Sequence, residues 1–192
     1  MKKLTIIILS AVLFNACSKD SDQSSTSREE VLNQSAQASP VTREFRGQFQ
    51  SSIDPDPSIP PTPCSGDLPG LANPGHFLHG NAIHLGEVIW QQSRLQDVSC
   101  NLSFATGQLT TSISGQFAAS NGDLIYYTGN DVLDVTNLLT GNTGQPGTIQ
   151  GTWTITGGTG RFAGATGSLT ISGPVDFTTM TFSFEAVGTI TY

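Results

Sequence analysis

Charge is scarce in this 192-residue chain: Asp, Glu, Lys and Arg together make up 12% of it, about half of the roughly 25% usual in globular proteins. Surface helices lean on Glu, Lys, Arg and Ala, whereas the abundant Gly, Ser and Thr suit short strands and turns. Positive charge is scarcest. Lys2 and Lys3 fall within residues 1–16, so that without this leader six basic residues face 15 acidic ones, a net charge of −9. Phosphate backbones repel such a surface, which argues against a nucleic-acid partner, and anionic membrane surfaces attract it no better. Long apolar runs are missing as well. The apolar stretch at residues 4–14 is broken only by Thr5 and Ser10, and its length falls well short of the roughly 20 residues of a membrane-spanning helix. Catalytic signatures are absent too: there is no GxSxG elbow, no phosphate loop and no basic aromatic patch. No catalytic residue, metal or cofactor is therefore assigned, and a binding role is expected ahead of an enzymatic one.

Met1-Lys2-Lys3, the apolar run and Asn15-Ala16-Cys17 have the layout of an export signal: a basic start, a short greasy segment and a small residue before the cut. Cys17 at its end resembles the lipobox of bacterial lipoproteins. The resemblance implies that residues 1–16 are removed and that Cys17 is the lipid-attachment site. Several acyl chains on one residue make a stable membrane anchor, where a single chain would bind marginally. The following Ser18-Lys19-Asp20-Ser21-Asp22 resembles the acidic export signal of surface lipoproteins. Together these imply a cell-envelope protein anchored to the outer membrane; the acidic stretch would place it on the outer surface, and a generic polar tether, which leaves the face of the membrane open, has a similar string. Residues 17–42 are rich in Ser, Gln, Asp and Glu with almost no aromatic side chain, a composition that reads as a flexible tether.

The remaining 43–192 reads as one all-β domain. Phe45 and Phe49, four apart among polar neighbours, suit one face of a strand. Residues 54–74 carry seven prolines and are expected to form a long surface loop. From Phe77 onward the period is two. Val98, Cys100, Leu102 and Phe104 alternate with polar residues, and Leu109, Ile113 and Phe117 follow the same rule. So do Ile149, Trp153 and Ile155, then Leu169 and Ile171, then Met180, Phe182, Phe184 and Ala186. Gly and Asn clusters at residues 105–107, 121–123, 141–147 and 157–160 supply the turns. About eight strands with no helix between them predict sequential antiparallel pairing. Closing the sheet into a single eight-stranded barrel would remove its edges; a sandwich has the same periodicity. A membrane-spanning barrel fits less well, because the outward positions are Ser and Thr.

Gly157-Gly158-Thr159-Gly160-Arg161-Phe162-Ala163-Gly164-Ala165-Thr166-Gly167 resembles the GGTGxFxxAxG hairpin of the allene oxide cyclase and dirigent barrels. Gly188-Thr189-Ile190 is similar to their closing strand, and Asn121-Gly122-Asp123 and His84-Leu85-Gly86 look like motifs of their bacterial relatives. The resemblance spans roughly residues 80–192. It implies a calycin-like antiparallel barrel whose lumen can take an apolar molecule, with Phe162 and Ala165 tucked under the hairpin as a plug. The hairpin is architectural, and no lumen residue of the cyclase is matched.

His76, His79 and His84 lie close together in sequence, with Glu87 as a further donor, but His79 and His84 would face opposite sides of a strand, so turn-supporting or surface roles are expected ahead of a metal. Asp131 and Asp134, after Tyr126-Tyr127, are expected to be solvated loop acids. Cys64 and Cys100 are the mature cysteines besides Cys17, and in an exported protein they are expected to pair, although Cys100 also suits a small buried apolar position. Trp90, Phe104, Phe117, Trp153, Phe182 and Phe184 are candidate lumen residues, with plain core packing as the competing explanation. Two functions follow. The first is a non-catalytic, lipid-anchored barrel binding a small apolar ligand or an envelope partner. The alternative is an allene-oxide-cyclase-like cyclase or isomerase that uses the lumen to enforce a substrate conformation.

Overall fold

The computed structural model describes residues 39–56, 59–68 and 70–192. The expected signal, Cys17 and all but the last residues of the expected tether lie outside them. Residues 40–192 form one compact unit, so the domain starts slightly ahead of the expected boundary at residue 43. Its strands are β1 (Thr42–Ile53), β2 (Thr62–Gly66), β3 (Ala72–Asn73), β4 (His76–Ala82), β5 (Gly86–Glu87) and β6 (Arg94–Ser103). They continue as β7 (Gln108–Ala118), β8 (Leu124–Asp134), β9 (Gly147–Gly158), β10 (Thr166–Asp176) and β11 (Thr181–Thr191).

Eight of these strands close a ring in the order β6, β7, β8, β9, β10, β11, β1 and β4, with β4 returning to β6. Every neighbour in the ring is antiparallel. The two-residue rhythm is the reason. In β9, Ile149, Trp153 and Ile155 point inward between exposed Thr148, Gln150, Thr152, Thr154 and Thr156, so only a closed or double-layered sheet can cover the apolar face. Phe45 and Phe49 in β1 and Phe182, Phe184 and Ala186 in β11 obey the same alternation.

The seam is the weak place in this ring. β4 and β6 pair only at His76↔Leu95 and Phe77↔Arg94. Further along the same edge of β6, β2 takes over in parallel register, with Cys64 opposite Cys100 and Gly66 opposite Leu102. The Pro-rich segment expected as a loop thus contains two short strands, β2 and its partner β3. Pro63 is tolerated there because the pairing of β2 with β6 begins only at Cys64, so no ladder bond calls on its missing N–H. The Cys64–Cys100 disulfide locks this patch to the barrel across a separation of 36 residues.

Several expected strand faces shift. A bulge between Asp97 and Ser99 turns Val98 outward, leaving it 66% exposed, because a single extra residue reverses the alternation. Met180 adopts a left-handed turn conformation before β11 begins and is exposed. On the chain-entropy account, closing a loop of this size contributes about 4 kcal/mol. The double substitution Cys64→Ser, Cys100→Ser should lower the unfolding free energy in guanidinium by about that amount while the far-ultraviolet β signature persists.

Candidate functional site

One end of the barrel is closed by its own glycine-rich hairpin. β9 runs into Gly158, a 3-10 turn follows at Gly160–Phe162, and Phe162 and Ala165 are fully buried beneath it. Phe162 packs edge-on against Tyr192, with ring centroids 4.9 Å apart.

The middle is filled by a closed circuit of five aromatic rings. Phe49 meets Phe117 at 4.6 Å, Phe117 meets Tyr127 at 4.8 Å, and Tyr127 stacks on Trp153 at 4.5 Å. Trp153 then meets Phe184 at 5.3 Å, and Phe184 returns to Phe49 at 5.2 Å. The polar tips are satisfied: Tyr127 Oη donates to the Arg94 carbonyl at 3.0 Å, and Trp153 Nε1 donates to Asp131 Oδ1 at 2.8 Å. Glycine makes room for these rings, since a Cβ at Gly115 would run into Tyr127 and one at Gly129 into Trp153.

The opposite end is open inside. Leu102, Leu109, Leu133, Val175 and Phe182, from five ring strands, wall a cavity of about 400 Å³. Two covers roof it: the disulfide-pinned segment, through Leu68 and Leu71, and a helical turn at Thr136–Leu139. Asn73 and His76 supply its polar side chains. His76 is 6% exposed and its Nδ1 has no hydrogen-bond partner. Burial lowers its pKa to about 4 against a smaller opposing pull from Asp54, so the ring is neutral at pH 7.

Behind Asn73 lie two buried acids. Asn73 Nδ2 donates to Asp97 Oδ2. Burial raises the pKa of Asp97 to about 6, while hydrogen bonds from Asn73 and Thr111 act the other way. Asp131 is raised to about 7 by burial, opposed by the Trp153 bond and reinforced by the Asp97 charge. Asp131 was expected in a solvated loop; it is instead 2% exposed on the inner face of β8, because that strand continues past it in phase with Ile125 and Tyr127. Asp134, one strand end further, is exposed and accepts the Thr136 N–H, which holds its carboxyl below the ordinary range.

Of the candidate lumen aromatics, Phe117, Trp153, Phe182 and Phe184 are buried inside and Phe182 alone lines the cavity. Trp90 and Phe104 are not inside, being 41% and 50% exposed. Trp90 sits in a 3-10 turn at Trp90–Gln92 outside the ring and stacks on His79 at 5.0 Å. Phe104 follows the end of β6, where its N–H donates to Asp67 Oδ2 at 2.6 Å. The three histidines have separate surroundings. His79 Nε2 bonds Ser52 Oγ at 3.0 Å on the outer face, and His84 occupies a left-handed turn with Nε2 against the Glu44 carbonyl at 3.1 Å. His84 is thus beyond the end of β4 rather than on the strand expected there, and Glu87 is exposed. Among the described residues no group of three His, Cys, Asp or Glu side chains is placed to hold a metal ion. His76, expected among the surface or turn-supporting histidines, is instead buried at the cavity wall, and neither Asp97 nor the roof was expected. The available signal was Leu68 and Leu71, two leucines inside a Pro-rich segment with no strand rhythm to explain them.

Comparison with protein-family models, with curated proteins and with solved structures finds no match for this chain.

The buried groups set a pH dependence. Between pH 4 and 6 the folded protein holds protons on Asp97 and Asp131 that the unfolded chain releases. His76 does the reverse, since its folded pKa lies below its unfolded one. The carboxyls contribute stability that is complete below about pH 4 and is lost as pH rises through 6 and 7; the imidazole contribution grows over the same window. Two acids outweigh one base, so denaturant unfolding should show stability falling from pH 4 to 7, on the order of 1 kcal/mol per pH unit. In the double variant Asp97→Asn, Asp131→Asn the trend should reverse, because His76 then acts alone.

Proposed function

We propose that this protein is a lipid-anchored component of the bacterial cell envelope whose barrel binds a small apolar molecule in its open end without transforming it. The observation that carries the reading is the cavity itself. The other end and the middle of the barrel are packed with side chains, yet one end keeps about 400 Å³ empty behind apolar walls. Apolar side chains that line a concave space of this size forgo packing contacts, which a bound apolar molecule would restore. The volume falls within the range of small-molecule sites, which are mostly apolar with a few placed polar groups. The anchor rests on the lipobox-like Cys17, and the membership of the allene oxide cyclase and dirigent superfamily rests on the glycine hairpin with its buried Phe162. A surface location in the outer membrane rests on the acidic stretch after Cys17.

Asp97 gives some support to a second reading, a lumenal cyclase or isomerase, because it is a buried acid joined to the cavity through Asn73. It does not itself line the cavity, and binding is therefore the conclusion.

Native mass spectrometry of protein purified from its own membrane should show an apolar adduct that disappears in Leu133→Trp, which fills the cavity from its β8 wall. Thr154→Trp, on the outer face of β9, should retain the adduct. An alkyne-labelled fatty acid fed to expressing cells should label the chain, and Cys17→Ser should abolish that label. A protein that carries no adduct and takes up no apolar dye would exclude the binding role.

A further inference from the structure

We infer that the cavity selects an uncharged amphiphile, an apolar body ending in one hydroxyl, and rejects the carboxylate of the same chain length. This rests on the reading that the cavity binds an apolar molecule. The argument begins with its polar side chains. Apart from the disulfide sulfur of Cys64, every lining side chain other than Asn73 and His76 is hydrocarbon or, in Met180, thioether. Buried polar atoms are nearly always paired, so the unpartnered Nδ1 of a 94% buried His76 calls for an explanation. A neutral imidazole has one nitrogen that donates and one that accepts. Asn73 spends its amide nitrogen on Asp97, which orients the amide and leaves its oxygen as the group it can offer. A ligand hydroxyl both donates and accepts, and so matches this pair.

A carboxylate has nothing to meet there. The chain's lysines are Lys2, Lys3 and Lys19, all upstream of the barrel. The four described arginines are engaged elsewhere: Arg43 over the Tyr192 ring, Arg46 with Glu185, Arg94 with Asp54 and Asp56, and Arg161 with Asp123. None lines the cavity. The charges that act on the two polar side chains are acidic: Asp97 holds Asn73, and Asp54, paired with Arg94, acts on His76. Moving an anion from water into an apolar space without a counter-charge is strongly unfavourable.

The test uses the mature chain carrying Cys17→Ser, which keeps the anchor's own acyl chains out of the assay. Calorimetric titration at pH 8 compares 1-decanol, decanoate and decane. Decanol is expected to bind about tenfold or more tighter than decanoate, and His76→Phe is expected to weaken decanol about fivefold while leaving decane unchanged. Decanoate binding as tightly as decanol would overturn the inference and leave the apolar-ligand reading standing. If none of the three binds, both fall. Should His76→Phe fail to fold, the alcohol and acid comparison on the unsubstituted residue still decides.

Discussion

The stack of Tyr127 on Trp153, and the aromatic circuit it belongs to, is the constraint from which the rest of the interior follows. Five rings from β1, β7, β8, β9 and β11 meet at the centre of the barrel, so the strands that carry them must close around one another. Aromatic pairs bury large areas and add a preference for particular contact geometries. The two polar tips extend the constraint outward. Tyr127 ties β8 to the backbone of β6, and Trp153 reaches across to Asp131. The glycines at 115 and 129 belong to the same arrangement, since larger residues there would occupy the space of the rings.

Because the circuit fills the middle, it divides the interior into two ends with different fates. The Phe162 turn seals one end with a side chain from its own hairpin. The other end depends on the seam, where β4 covers only the first residues of β6 and β2 covers the last. Without the disulfide-pinned segment the last residues of β6 would lose their partner on this edge and the cavity would lose one of its two covers. One covalent bond therefore holds the strand that covers the part of β6 left free by β4, and with it one side of the proposed ligand site.

The buried acids run against stability. Taking Asp97 and Asp131 out of water costs free energy that their hydrogen bonds only partly return, which is why both carboxyls are shifted toward the neutral form. Asp131 holds the Trp153 indole, and Asp97 holds Asn73 at the cavity wall. Each thus fixes a larger side chain, a positional role that hydrocarbon of the same shape could not fill.

Side chains alternate across a strand whatever surrounds them, so the class of the fold was legible in the inward sets at Leu109, Ile113 and Phe117 and at Phe182, Phe184 and Ala186. The partners in the disulfide were legible for a simpler reason, since Cys64 and Cys100 are the two cysteines beyond Cys17. Tertiary structure alone decided where that alternation slips, as at Val98, because a bulge depends on the partner strand. It alone turned Asp131 inward, put Trp90 and Phe104 outside, and folded a Pro-rich segment over the barrel end. These outcomes depend on which strands meet at the seam, a contact between residues far apart in the chain that no local rhythm records.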